Sequence, residues 1–347
     1  MTTFAPFPRA RTVLLIATLI MLSGFFPSSA NAALPMVNWN QLDQKLETMS
    51  RDSNLLVAEF RGSSCSAIHD RNADRTLAIA STFKLYVLGE LGLQVQKGEA
   101  AWDDRIELTA SLRSMPSGDY AWVPAGTSVP VLDLAEAMIW QIDNTATDHL
   151  IDYLGRENVE RAFASFGHSD PGLNSPLLMT RELFGIKMTQ SSSWMDAYAD
   201  ADNARQLELL HTDIDPMAID PNGGWGNWNG PTAIGEIEWF ASASDLCRAT
   251  ASLWTMGAQP GLSPIRDVLS GNRGAVGELS SFPKAGYKGG YEAGVVNMTY
   301  ILQREDGRVF FVSAGYNSTT SVIDPSTAVS YLIPVFDCLG SDDCIDA

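Results

Sequence analysis

The sequence has little positive charge. It contains 23 lysines and arginines against 41 aspartates and glutamates, which gives a formal net charge of −18. Proteins that bind DNA or RNA neutralise phosphate groups with lysine and arginine, and an acidic surface repels the same polyanion. The charge balance therefore argues against a nucleic acid partner.

Charged residues of both signs are also scarce. They make up 18% of the chain, whereas hydrophobic residues make up 45%. Disordered segments combine high charge with low hydrophobicity, so this composition indicates a folded globular protein. The 347 residues could form one large domain or two, because a single core stops growing at about 250–300 residues.

Histidine is rare, and the metal-binding spacings C-x-x-C and H-E-x-x-H are absent from the sequence. The acidic stretch 196–202 lacks the glycine and the distal glutamate of an EF-hand loop. The four histidines are scattered, at His69, His149, His168 and His211. A zinc site needs clustered ligands, so we expect no metal and no other cofactor.

A transmembrane anchor needs about 20 consecutive apolar residues, and the sequence has no apolar run of that length. The apolar run 12–26 follows Arg9 and Arg11, and it precedes the small-x-small pattern of Ala30 and Ala32 that a signal peptidase recognises. We therefore expect residues 1–32 to be a cleaved signal peptide and residues 33–347 to be the mature domain. The product would be periplasmic or secreted, without a stable membrane anchor.

The chain has only four cysteines, and export makes them candidates for disulfides rather than metal ligands. Cys338 and Cys344 lie six residues apart in an acidic C-terminal tail and are natural partners, which leaves Cys65 and Cys247 as a second pair. The sequence alone leaves three connectivities open.

Strand signals lie at both ends of the chain, and helix signals lie between them. Extended runs occur at 55–61 and before Ala80, and two later runs, 294–303 and 308–316, flank a polar turn typical of a hairpin. Helices are predicted over 39–50, 81–97, 131–141, 145–154, 157–166, 242–256 and 326–338. Strands at both ends with helices between them predict an α+β protein whose terminal strands share one antiparallel sheet.

One stretch, 189–240, departs from this regular pattern. It combines a serine run, an acidic helix-like piece and a loop rich in glycine and asparagine around Trp225 and Trp228. Long loops inside a domain are usually functional or disordered. We interpret the stretch as an insertion over a cleft, and not as a linker between domains.

Ser81 and Lys84 open the helix 81–97, which is apolar on nearly every side. Residues three apart share a helix face, and a lysine in apolar surroundings has a lowered pKa that suits it to take a proton from a serine. The helix N-terminus adds backbone donors and a positive dipole end. An N-cap serine with a surface lysine has the same S-x-x-K spacing. Ser281 and Lys284 repeat it, but Pro283 prevents a regular helix there.

Three motifs in this order resemble those of class A β-lactamases and related penicillin-interactive serine hydrolases: ASTFK at 80–84, DNTA at 143–146 and KGG at 288–290. The resemblance covers essentially the whole expected mature chain. It implies a β-lactamase/DD-peptidase-like fold in which Ser81 is acylated and Lys84 is its proton partner. It also implies roles in substrate binding for Asn144, Lys288, Gly290 and Tyr291. The backbone N–H groups of Ser81 and Tyr291 would form the oxyanion hole.

Lys284 competes with Lys288 for the third motif, because residues 284–286 have a similar pattern and residues 284 and 288 point to the same face of a strand. We favour Lys288 as the catalytic lysine, because Tyr287 precedes it and the alternating strand that follows fits the family better.

Two positions depart from the family pattern. Ile142 stands where the second motif begins with serine, so no hydroxyl is there to pass a proton to a leaving nitrogen. Glu182 lies in the region of the carboxylate that activates the deacylating water, but the Leu-Asn that ends the family pattern is missing. Glu182 is thus a candidate catalytic residue, with a helix-start glutamate as the alternative.

The predicted function is that of an exported, monomeric serine hydrolase acting on β-lactams or on related ester or amide acyl substrates. Because Ile142 lacks a hydroxyl, expulsion of an amine should suffer more than expulsion of an ester or thioester leaving group. Two alternatives remain: a catalytically weakened module that binds β-lactams or peptidoglycan, and a peptidase acting on D-alanyl peptides.

Overall fold

A five-stranded antiparallel sheet forms the middle of the fold. The computed structural model describes residues 37–218, 230–274 and 279–341. Its strands are β1 (Asp52–Arg61), β2 (Ser64–Arg71), β3 (Leu77–Ala78), β4 (Arg105–Glu107), β5 (Ser128–Pro130), β6 (Phe240–Ala241), β7 (Lys284–Glu292), β8 (Val295–Gln303) and β9 (Val309–Asn317). The large sheet has the order β2-β1-β9-β8-β7, while β3 pairs with β6 and β4 with β5. The predicted sheet of terminal strands is confirmed.

Most helices lie between the N-terminal and C-terminal strands, as the α+β prediction requires. They are α1 (Trp39–Met49), α2 (Lys84–Lys97), α3 (Val131–Trp140), α4 (Asn144–Leu154), α5 (Arg156–Ser165), α6 (Thr180–Thr189), α7 (Ser192–Ala199), α8 (Asn203–Leu209), α9 (Ala243–Met256), α10 (Pro264–Ser270) and α11 (Pro325–Leu339). Short 3₁₀ turns occur at Ala80–Phe83, Asp119–Trp122 and Pro171–Asn174. Within the described residues, no helix is long and apolar enough to cross a membrane.

The sheet is buried on both faces. Leu55 and Val57 of β1 pack in a core with α1 and α11, whereas Leu56 and Ala58 pack in a second core with the central helices. Successive side chains of a strand point to opposite faces, so each face of β1 contributes to a different core. This explains why residues 55–58 of the strand are all apolar and do not alternate with polar residues.

The predicted helix 81–97 begins differently from the expectation. Residues Ala80–Phe83 form a 3₁₀ turn, and the α-helix starts at Lys84. The expected insertion 189–240 is largely helical where it is described, since α7 and α8 lie in it. Trp225, Trp228, Cys344 and the predicted signal peptide lie outside the described residues.

A disulfide joins Cys65 on the edge strand β2 to Cys247 on α9. It confirms the second predicted cysteine pair. Cys338 is also disulfide-bonded, and its predicted partner, Cys344, belongs to the tail that the structure does not describe. The Cys65–Cys247 bond closes a loop of 182 residues, so it restricts a large part of the unfolded chain.

Replacing both Cys65 and Cys247 with alanine should lower the free energy of unfolding by about 2–5 kcal/mol, because the unfolded chain regains the entropy of the open loop. Urea unfolding of the oxidised wild type and of the double variant measures the difference. The reduced wild type, which also loses the disulfide of Cys338, should be at least as destabilised as the variant. Equal midpoints for the variant and the oxidised protein would contradict the prediction.

Candidate active site

Ser81 lies in the 3₁₀ turn directly before α2 and is half-buried. Two contacts with Trp239 hold this turn in place. Ile79 donates its N–H to the carbonyl oxygen of Trp239 at 2.9 Å, and the ring of Phe83 stacks on the ring of Trp239 with centroids 3.9 Å apart. Ala80 has a φ of +44°, a conformation that non-glycine residues rarely adopt and that often marks functional sites. Ser81 therefore follows a residue in an unusual backbone conformation, in a turn that is held on both sides.

Lys84 is fully buried, and its ammonium group lies between two motif residues. Its Nζ is 3.2 Å from Oγ of Ser81 and 2.5 Å from Oδ1 of Asn144. Burial lowers the pKa of Lys84 to about 7, although the charges of Asp148 and Asp143 oppose this shift. A lysine with such a pKa exchanges a proton near neutral pH, which suits it to act as a base toward Ser81.

Asn144 is the first residue of α4 and is fixed by both ends of its amide. Its Oδ1 accepts from Lys84, and its Nδ2 donates to the carbonyl oxygen of Pro116 at 2.7 Å. Asp143 caps the same helix by accepting the N–H of Ala146 at 2.8 Å. These bonds bring the second motif against the first.

Ile142, the residue before the cap, has a φ of +57° and a side chain that is 43% exposed. A β-branched residue is strained at positive φ, because its Cβ substituents crowd the backbone. An exposed, strained isoleucine gains little from burial. Its position beside Asp143 and Asn144 therefore puts an apolar surface where the family pattern has a hydroxyl.

Lys288 and Lys284 differ sharply in environment. Lys288 is buried on β7, and its Nζ donates to the carbonyl oxygen of Gly289 at 2.6 Å. Burial and the nearby charge of Lys84 hold the pKa of Lys288 well below its usual range. Lys284 is exposed at the start of the strand. Of the two candidates, Lys288 is thus the one that lies in the electrostatic field of Lys84.

Gly290 lets β7 touch the turn that carries Ser81. A Cβ at this position would lie 1.9 Å from the carbonyl oxygen of Ile79 and 3.0 Å from the backbone nitrogen of Ser81. Any larger residue would push the strand and the turn apart. The close contact brings Tyr291, the next residue, beside the nucleophile turn.

The backbone of Tyr291 is oriented by its position on an edge strand. Tyr287 donates its N–H to the carbonyl oxygen of Asn272 at 2.7 Å, outside the sheet. Because β7 pairs with β8 in unbroken register, the N–H of Tyr291, four residues on, points to the same side. The donor predicted for the oxyanion hole thus faces away from β8.

Glu182 is buried at the start of α6, and its carboxylate is engaged on both oxygens. Arg156 donates to Oε2 at 2.9 Å and to Oε1 at 2.6 Å, and the backbone N–H of Met179 donates to Oε2 at 2.6 Å. The guanidinium binds both oxygens of the carboxylate in a bidentate pair. The hydrogen bonds described for Glu182 are therefore those of a helix-start ion pair.

Asp148 is a buried carboxyl group near the site that the sequence analysis missed. It accepts hydrogen bonds from Thr180 (backbone N–H 2.7 Å and Oγ1 2.8 Å) and from the N–H of Arg181 (2.8 Å). Burial raises the pKa of Asp148 to about 7, and its charge acts on Lys84. Its spacing could have revealed it, because Asp148 lies one helical turn after Asn144 on the same face of α4.

The described residues hold no cluster of three or more histidine, cysteine, aspartate or glutamate side chains that could bind a metal. The groups that the described site offers for chemistry are the serine, the two buried lysines and the backbone donors. A buried amine within hydrogen-bond distance of a hydroxyl, beside a helix start, can support nucleophilic acyl transfer.

Residues 54–212 match the model of the Beta-lactamase enzyme family. No curated protein sequence matches the chain. Three similar solved structures are a β-lactamase from Sphaerobacter thermophilus (19% identity, TM-score 0.58, 87% of this chain and 96% of that chain), PBP-A (16%, 0.57, 88% and 98%) and a β-lactamase from Francisella tularensis (12%, 0.59, 86% and 98%).

At these identities the solved structures establish the fold alone, which is the β-lactamase/DD-peptidase-like fold expected from the motifs. The family match covers the segment that contains Ser81, Lys84 and Asn144. The chain is thus similar to the β-lactamase enzyme family over residues 54–212, and it has the β-lactamase/DD-peptidase-like fold.

Proposed function

We propose that this protein is an exported serine hydrolase whose Ser81 is acylated by β-lactams or by related ester or amide substrates. The observation that carries the proposal is the distance of 3.2 Å between Nζ of Lys84 and Oγ of Ser81. Burial brings the pKa of Lys84 to about 7, so an unprotonated amine is available at neutral pH. Ser81 and Lys84 thus have the distance and the protonation that acyl transfer requires.

In the proposed acylation step, neutral Lys84 takes the proton of the Ser81 hydroxyl while Oγ attacks the substrate carbonyl carbon. The carbonyl oxygen becomes an oxyanion that accepts hydrogen bonds from the backbone N–H groups of Ser81 and Tyr291. Collapse of this intermediate breaks the bond to the leaving nitrogen or oxygen, which receives a proton. The product of the step is an ester on Ser81.

Lys288 and Asn144 bind and orient the substrate in this proposal. Lys288 attracts a substrate carboxylate, and the amide of Asn144 is positioned toward the substrate by its bonds to Lys84 and Pro116. The net charge of the chain is −18, so an anionic substrate is repelled by the protein as a whole. The attraction of a substrate carboxylate must therefore come from local groups, chiefly Lys288 and the backbone donors beside Ser81, against that field.

Turnover of β-lactams is expected to be slow at both steps. Ile142 has no hydroxyl to protonate the leaving nitrogen during acylation, and the carboxylate of Glu182, the candidate group for activating the water that releases the acyl group, is bound to Arg156. We propose that Glu182 stabilises the start of α6 and contributes little as a base toward water. The acyl-enzyme should then accumulate, and esters should be turned over better than β-lactams.

Mass spectrometry of the intact protein and of its proteolytic peptides tests the proposal. After incubation with benzylpenicillin or with an activated ester, the wild type should gain the mass of the acyl group on the peptide that contains Ser81. The variant Ser81→Ala should gain none. If none of a panel of β-lactams and activated esters modifies Ser81, the acylation proposal is wrong.

The engaged carboxylate of Glu182 also favours a second function, that of a β-lactam-binding module that is acylated once and does not turn over. A chromogenic cephalosporin separates the two functions. A stoichiometric burst without later product formation supports the binding module, whereas continued product formation after the burst supports the hydrolase.

A further inference from the structure

A buried ion cluster joins three segments beside the candidate active site. Lys187 of α6 donates to Oε1 of Glu238 at 2.8 Å and to Oε1 of Glu292 at 2.7 Å. The side chains of all three residues are at most 3% exposed. Isolated buried charges are costly, so a cluster of this kind needs compensating partners in a fixed geometry. None of these residues has a role in the acylation mechanism above.

Glu292 connects the cluster to one wall of the oxyanion hole. It is the last residue of β7 and follows Tyr291, which carries the proposed oxyanion donor. Side chains two apart on a strand share a face, so Glu292 projects to the same side as Gly290, which touches the Ser81 turn. The bond to Lys187 therefore fixes the end of the strand that presents Tyr291.

Glu238 connects the cluster to the opposite wall. It precedes Trp239, whose carbonyl oxygen accepts the N–H of Ile79 at 2.9 Å and whose ring stacks on Phe83. Ile79 and Phe83 flank Ser81 on either side. A shift of the Glu238 backbone would therefore move Trp239, and with it the turn that presents the second oxyanion donor, the N–H of Ser81.

We propose that Lys187 is a positioning residue that sets the separation between the two oxyanion donors, the backbone N–H groups of Ser81 and Tyr291, by tying Glu238 to Glu292. The inference rests on the proposed acylation of Ser81. A single buried ammonium group holds both walls, so its loss lets the strand and the turn move independently.

The charges of the cluster agree with this role. Burial and the charge of Glu238 raise the pKa of Glu292 well above its usual range. Burial alone would lower the pKa of Lys187, but its two carboxyl partners outweigh burial and raise it. The charged form of Lys187 is thus favoured by the same two carboxyl groups that it ties together.

The variant Lys187→Met should reduce the acylation rate of Ser81 by roughly 10–100-fold, because small displacements of an oxyanion donor have effects of this size. The binding of a substrate carboxylate near Lys288 should change less than twofold. The variant Lys97→Met, which alters an exposed lysine on α2, should retain the wild-type rate. Stopped-flow acylation with an activated ester measures rate and affinity separately.

A thionoester substrate distinguishes the oxyanion hole from general damage. Sulfur accepts hydrogen bonds poorly, so an intact hole should favour the oxygen ester over the matching thionoester. In Lys187→Met this ratio should fall several-fold. A lowered folded fraction would reduce both rates equally and leave the ratio unchanged.

If Lys187→Met does not fold, Glu292→Gln and Glu292→Leu provide the same test. The carboxamide keeps an oxygen that can accept the hydrogen bond of Lys187, so Glu292→Gln should lose less activity than Glu292→Leu and keep the wild-type ester-to-thionoester ratio. Wild-type rates and ratios in both Lys187→Met and Glu292→Leu would overturn the inference. A wild type that is not acylated at Ser81 would instead overturn the proposed function.

Discussion

The variant Lys84→Met should acylate Ser81 roughly 10²–10⁴ times more slowly than the wild type. The expected loss is the usual contribution of a positioned general base. Lys84 is the group whose Nζ lies 3.2 Å from Oγ of Ser81, and methionine fills a similar volume without accepting a proton. The rate of adduct formation with an activated ester, followed by mass spectrometry, measures the effect. The matched control is Lys97→Met on the same helix, which should react at the wild-type rate.

The pH dependence of the wild type should identify the same group. Because Lys84 must be neutral to take the proton, the acylation rate should increase as the pH is raised through about 7, the pKa to which burial lowers this amine. The variant Lys84→Met should lack this limb and retain a low, flatter rate. A wild-type rate that is constant between about pH 5 and 9 would contradict the assignment of Lys84 as the base.

The contribution of Lys84 to the free energy of unfolding should rise with pH, whereas that of an ordinary ion-paired lysine falls. The pKa of Lys84 is about 7 in the folded protein and 10.5 for an unperturbed lysine, so between these values the unfolded chain binds more protons than the folded one. The contribution of Lys84 to the free energy of unfolding therefore rises with pH across this window. Urea unfolding at pH 6 and pH 9 should show that the difference in stability between Lys84→Met and the wild type narrows at the higher pH.

The motifs that carry the proposed catalytic residues could be predicted from the sequence, because each is a short pattern of neighbouring residues. Ser81 and Lys84 are three residues apart, and their spacing alone predicts a shared face. Asn144 lies 60 residues from Lys84, yet it begins a helix with a recognisable cap, and the structure gives it a hydrogen bond to Lys84. The expectation that the first and second motifs meet in space therefore agrees with the structure.

The partners of Glu182 and Lys187 could not be predicted in the same way. Glu182 meets Arg156 across 26 residues, and Lys187 meets Glu292 across 105 residues. Nothing in the local sequence distinguishes such a glutamate or lysine from an exposed one. Their partners are chosen by the packing of α6 against distant segments, which depends on the whole fold.

Strand β2 was missed for a different physical reason. It is an edge strand whose side chains are mostly exposed or half-buried, so the sequence of Ser64–Arg71 shows no apolar alternation. Its pairing with β1 and the disulfide at Cys65 hold it in the sheet. Periodicity detects strands that bury a face, and β2 is stabilised chiefly by backbone hydrogen bonds and a covalent bond.

The variant Ile142→Ser should increase the rate at which β-lactams acylate Ser81 by roughly 10²-fold or more, up to about 10⁴-fold. A hydroxyl next to Asp143 and Asn144 could pass a proton to the leaving nitrogen, and assistance of this kind is worth about 3–5 kcal/mol in the barrier. The gain should be much smaller for an activated ester, because its leaving oxygen needs little protonation. Stopped-flow acylation with a chromogenic cephalosporin and with the ester measures both effects.

Strain at residue 142 has to be separated from the effect of the hydroxyl. Ile142 has a φ of +57°, which disfavours a β-branched side chain, so any smaller unbranched residue should relieve strain. Ile142→Ala therefore serves as the control, since it removes the same bulk and supplies no proton donor. Both variants should unfold at a higher urea concentration than the wild type, but only Ile142→Ser should be acylated faster by β-lactams. An equal gain in Ile142→Ala would mean that strain or access, and not proton transfer, limits the wild-type enzyme.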